Sequence, residues 1–215
     1  MTTVLARLQG GLETLYRVDT GVAIGDFVVD GAERAAADPD GRAPPEQLLV
    51  APDDDGGVAI GLYVDRDVLA HLAVHDPGHR LDHRNTSAFL YALEGVSHFV
   101  YTVWCAQRER AVSALELELQ AEIDKWVVCL LASGDDQVAS RAWRRRLFDD
   151  FAWQPGLDAD ERDRYRAAND NAARYAAALE RRYVAPRRIP ELLDELRRFW
   201  RLPLPDKLGT IAQAG

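Results

Sequence analysis

The stretch from residue 86 to 108 constrains this chain most, because a helix drawn through it has no ordinary charged face. At about 100° per residue, Phe89, Leu90, Leu93, Val96, Phe99, Val100, Val103 and Trp104 cover most of its surface. Such a helix must be buried on most sides. Its polar residues Ser87, Tyr91, Glu94, His98, Tyr101 and Cys105 follow spacings of three and four, and so fall on one stripe. A buried carboxylate and imidazole need partners. Glu94 and His98, four residues apart, can serve each other.

A second long helix is expected over 113–132, opened by Ser113 and Glu116 as a capping pair. Its polar residues form two stripes, Glu118–Glu122–Lys125–Cys129 and Glu116–Gln120–Asp124. The short connection 109–112 predicts an antiparallel helical hairpin spanning about 86–132. Register counted outward from residue 110 sets His98 level with Glu122 or Asp124, and Glu94 level with Lys125.

Around this hairpin the pattern is mainly helical. Helical spacing recurs over 3–16, weakened by Gly10-Gly11, and over a short segment that Asp65 or Asp67 can cap and that runs through about Val74. Further helices are expected over 138–151, from Asp158 to about Val184, and over 190–200, after which LPLP at 202–205 reads as a stop. Residues 22–29, 47–51 and 58–64 read as strands of a small N-terminal antiparallel sheet. The expected class is therefore α+β, mainly α: one domain over 1–215, with a β-containing part at 1–84 and a helical part at 85–215. Length agrees, since 215 residues can bury a full core.

Charge is uneven. Residues 1–137 hold 10 Arg+Lys against 23 Asp+Glu, a net −13, whereas 138–215 hold 16 against 12, a net +4. The acidic first part argues against general nucleic-acid binding, which needs phosphate neutralisation. No long apolar segment follows a basic N-terminus, and Glu94, Ser97 and His98 make membrane insertion of the 88–106 segment costly. Two cysteines, Cys105 and Cys129, sit in apolar helical stretches and read as buried thiols of a reducing, cytoplasmic setting.

Three readings of the Glu94–His98 stripe compete. One is a structural polar network. Another is a metal centre built from His98, Glu94, Glu118 and Glu122. Helical bundles hold such sites, but the usual Glu-x-x-His repeated on two helices is here a single Glu-x-x-x-His. The third is acid–base catalysis by Glu94, His98 and Glu122.

Other constellations are weaker. His71, His75, His79 and His83 are spaced by four, but Asp76-Pro77-Gly78 breaks any helix between them. His71 and His75 with His79 or Asp82 form a lesser metal candidate. Asp53, Asp54 and Asp55 lack the spacing of a calcium loop. Asn85-Thr86-Ser87 matches a glycosylation sequon, and a helix cap explains it equally. Arg141, Arg144, Arg145 and Arg146, interleaved with Trp143, Phe148, Phe151 and Trp153, suit an amphipathic helix or an acidic partner surface. No phosphate cradle, nucleophile elbow or dinucleotide fingerprint is present. No cofactor is assigned. The resulting expectation is a non-enzymatic interaction or accessory protein with a protein partner; the alternative is an enzyme using Glu94, His98 and Glu122.

Overall fold

The computed structural model describes residues 2–39, 44–52, 57–150 and 157–214. Residues 40–43, Asp53–Asp55, Phe151 and Trp153 lie outside the described residues. The architecture is α+β and mainly α, with nine α-helices and one three-stranded sheet among the described residues. Two compact units are present. The first comprises Met1–Thr14 and Val18–Arg110, the second Leu15–Arg17 and Ala111–Gly215.

In the first unit, α1 (Thr2–Tyr16) begins the chain and continues through Gly10-Gly11; its last two residues belong to the second unit. The sheet comprises β1 (Val28–Val29), β2 (Glu46–Pro52) and β3 (Val58–Val64), in the order β1-β3-β2. β2 and β3 pair antiparallel, with Glu46 opposite Val64 and Pro52 opposite Val58. β1 pairs parallel to β3, Val28 with Leu62. The sheet is therefore mixed, not antiparallel, and the expected 22–29 strand shrinks to two residues. Its earlier part, Ile24–Phe27, is a single 3₁₀ turn that buries Ile24 alone. An apolar run this short satisfies either conformation, so periodicity could not separate them.

Asp30 caps α2 (Gly31–Ala37), accepting from the Ala32 and Glu33 amides, while the Glu33 carboxylate accepts from the Asp30 amide. Asp65 caps α3 (Arg66–Val74). α4 (Thr86–Ala106) is the helix predicted first, and it buries residues on every side. It packs on α3 and on the face of β2 and β3. Gly61 sits where β3 passes β1: a methyl group there would lie 2.9 Å from Val29 Cγ1.

In the second unit, Ser113 caps α5 (Ala114–Ala132) by accepting from the Glu116 amide. α6 (Gln137–Arg144) runs into a π turn at Arg145–Asp149. α7 (Ala159–Leu179), opened by an Asp158–Glu161 capping box, packs along α5 and ends in a second π turn, Glu180–Val184. Asn169 donates from Nδ2 to the Leu147 carbonyl at 3.4 Å, an interhelical hydrogen bond. α8 (Ile189–Trp200) starts with Pro190 in its first turn.

LPLP does not end the helical part. A further helix, α9 (Leu204–Ala214), starts within it, because Pro205 falls in the first turn, where its missing N–H deprives no intrahelical bond. α9 packs against α7 and buries Lys207 and Ile211.

Among the described residues, no helix is long and apolar enough to cross a membrane. Both cysteines are free and buried. Burial pushes the Cys129 thiol up to about 12, offset in part by Lys125 and Arg146. The thiolate is the reactive form. At pH 8, four pH units lower, about one Cys129 in ten thousand is ionised. We therefore expect iodoacetamide to leave Cys129 unlabelled in the native protein and to label it readily in urea. Rapid native labelling of Cys129, located by mass spectrometry, would contradict this.

Candidate functional site

Two buried polar groupings stand out, one in each unit. In the first unit α4 carries His98, 7% exposed, and Glu94, half-buried. The structure adds Glu46, from the first position of β2: its Oε2 lies 3.9 Å from His98 Nδ1. Gly95 makes this approach possible. A Cβ there would lie 3.0 Å from Glu46 Oε2 and 3.1 Å from Leu62 Cδ1. The glycine between Glu94 and His98 thus lets strand side chains reach the helix backbone. Chemically, the arrangement sets an imidazole and a carboxylate 3.9 Å apart, beyond hydrogen-bond range and within reach of charge attraction.

The rest of the stripe is occupied locally. Tyr101 accepts on its hydroxyl from Arg110 Nη2 at 2.7 Å and stacks on Trp104. Arg108 lies over the Trp104 ring at 4.3 Å. Cys105 is fully buried.

Of the other candidates, Glu118 and Glu122 belong to α5 in the second unit. Glu118 is buried, and Glu122 accepts from Lys125 Nζ at 2.6 Å. The stripe Glu116–Gln120–Asp124 proves the richer one. Tyr16, fully buried, donates from its hydroxyl to Asp124 Oδ1. Gln120 Nε2 donates to the same Asp124 oxygen at 2.8 Å. Gln120 Oε1 accepts from Lys207 Nζ at 2.7 Å, and that ammonium lies 4.0 Å from Glu116 Oε1 and 5.3 Å from the centre of the Phe199 ring. Tyr16 stacks on Trp200 at 5.0 Å. Lys207, Tyr16, Gln120 and Asp124 are each at most 1% exposed. This is a chain of donors and acceptors sealed from water, with Lys207 as its cation.

Sequence reasoning found the α5 stripe but missed Lys207 and Tyr16. One signal was available: lysine occurs only at 125 and 207 in an arginine-rich chain, and Lys207 falls in a segment otherwise rich in apolar residues.

A further buried carboxylate, Glu180, 4% exposed, begins the second π turn. It accepts from Ser140 Oγ at 2.8 Å and, at 3.4 Å each, from Arg141 Nε and Arg144 Nη1.

The histidine-rich segment is held by local hydrogen bonds. His71 Nε2 shares a hydrogen bond with the Arg84 carbonyl at 2.7 Å, and Asp82 holds the Arg84 guanidinium. Asn85 is 3% exposed; its Nδ2 donates to the carbonyls of Arg80 and His75. The sequon asparagine is thus a structural clasp, with its amide nitrogen occupied.

No protein family, curated protein or solved structure matches this chain.

Proposed function

We propose that this protein is a non-enzymatic interaction or accessory protein of the reducing cytoplasm, whose buried ionisable residues build its framework while its surface engages a protein partner. The observation that carries this reading is the Lys207 cluster. A completely buried ammonium is met by protein groups, and such a satisfied network specifies one packing. Glu180 is used in the same way, between Ser140 and two arginines. Buried, free Cys105 and Cys129 suit a reducing compartment.

A second reading has its own support. His98 beside Glu46, with half-buried Glu94 one turn away, is the pairing an acid–base or metal-dependent enzyme would use.

Elemental analysis of the purified protein, combined with melting curves of Glu94→Gln, His98→Asn and Glu122→Gln, separates the two. The framework reading expects no stoichiometric transition metal, and His98→Asn as the least stable of the three. A stoichiometric metal that His98→Asn discards while the fold stays intact would establish the enzyme reading instead. Migration of the endogenous protein in a native extract at the mass of the isolated protein alone would remove the partner.

A further inference from the structure

The second unit holds a cleft of about 210 Å³ between α7 with its π turn, α8 and α9. Its charge is unbalanced. Three charged residues line it: Arg182, Arg198 and Glu195. Glu195 is committed to neighbours. Its Oε1 accepts from Tyr175 Oη at 3.0 Å and from Arg198 Nη2 at 2.7 Å, and its Oε2 accepts from Arg198 Nε at 3.1 Å. Burial, reinforced by the Glu195 carboxylate, raises the Tyr175 phenol well above its ordinary value, so it stays a neutral donor.

Arg182 is different. Its guanidinium lies over the neighbouring Tyr183 ring at 5.7 Å and makes no ion pair or hydrogen bond with the described residues. Thr210 and Gln213, two further polar lining residues on α9, likewise have no side-chain hydrogen bond with the described residues. An exposed cation, an exposed amide and a half-buried hydroxyl therefore line one cleft without a side-chain hydrogen bond to the described residues. Ala178 and Leu179, about one turn before Arg182 on the same helical run, also line it and are buried. Arg182 is set on the Glu180–Val184 π turn, a distortion that recurs at functional sites.

We infer that this cleft binds a small organic monocarboxylate, with Arg182 taking the carboxylate and Thr210 and Gln213 completing its hydrogen bonds. The volume corresponds to about seven water molecules at ~30 Å³ each. It lies below the usual range of drug-sized pockets, which favours a small ligand over a nucleotide. The surplus of one positive charge matches a single negative charge. A planar guanidinium and a planar carboxylate can make two parallel hydrogen bonds. The inference goes beyond the partner role proposed above and does not depend on it.

The test is a chemical-shift titration of the full chain with benzoate, hexanoate and inorganic phosphate as probes. Saturable shifts at the Thr210 and Gln213 amides are expected with both carboxylates below about 10 mM, the weak end of specific affinity. Arg182→Gln should weaken binding about ten-fold or more, and Arg182→Lys less, because it keeps the charge and loses the fork. Thr210→Val, which leaves the arginine in place, should weaken it a few-fold. The inference is overturned if neither carboxylate gives saturable shifts in the unmodified protein, if Arg182→Gln and Thr210→Val bind them unchanged, or if phosphate binds more tightly than both.

Discussion

Replacing Lys207 with methionine is expected to destabilise the second unit by about 3–5 kcal/mol, the cost typical of removing one member of a buried ion pair. Methionine retains most of the lysine stem's volume, so the loss is not chiefly a cavity. It comes from what remains behind. Glu116, 4.0 Å from the ammonium, stays buried and loses that positive charge, and Gln120 Oε1 loses its donor at 2.7 Å. Urea unfolding followed by the fluorescence of buried Trp126 and Trp200 measures the change. A loss below about 1 kcal/mol would show that the cluster contributes little to stability. The pair Lys207→Met with Glu116→Gln sharpens the test. If the uncompensated charge is the cause, the double variant recovers a large part of the loss, and the coupling between the two sites exceeds about 1 kcal/mol.

Lys207 also shows where sequence reasoning stops. The long helices were legible because each carries both a period and a boundary: Ser113 opens α5, Asp158 with Glu161 opens α7, and the apolar pattern marks α4. The stripe Glu116–Gln120–Asp124 was legible too, because it is a matter of spacing on one helix. Its partners were not. Tyr16 and Lys207 stand about a hundred residues before and ninety after it, and no local pattern announces a meeting of that kind. The stop at LPLP holds for α8, which ends at Trp200, but α9 was missed for a related reason. A proline after a helix signals a stop, and the same proline in the first turn of a new helix is favourable; only the packing of α9 on α7 decides between them. Glu46 escaped notice because a charged residue at a strand's start is expected to face water. It reaches His98 only because Gly95 leaves room, and that closeness becomes visible once β2 and α4 are packed together. The Glu94–His98 stripe is readable from helical spacing, whereas the Glu46 carboxylate comes from the sheet, outside that pattern.

Glu180→Leu is the second change expected to act strongly, and it connects stability to the cleft. Ser140, fully buried, would keep its hydroxyl and lose its 2.8 Å acceptor, at a cost of about 1–3 kcal/mol for an unsatisfied buried donor. Arg144, only partly exposed, would lose its carboxylate as well. Together these predict a loss of about 2–4 kcal/mol in urea unfolding. Ser140→Ala added to Glu180→Leu should return part of it, since removing both partners of a buried hydrogen bond costs less than removing one. The π turn gives the substitution a second effect. Glu180 anchors the start of this turn on α6, and Arg182 lies two residues on, lining the cleft. Releasing the anchor while keeping the arginine should therefore weaken benzoate binding, even under conditions where the variant is fully folded. Glu180→Gln keeps an acceptor for Ser140 and should restore the affinity more completely than it restores stability, because the arginine contacts depend on the charge and the turn's anchor does not. Equal losses of affinity in Glu180→Gln and Glu180→Leu would show that the negative charge, and not the anchor, governs the cleft. Unchanged affinity in folded Glu180→Leu would uncouple the π turn from Arg182 altogether.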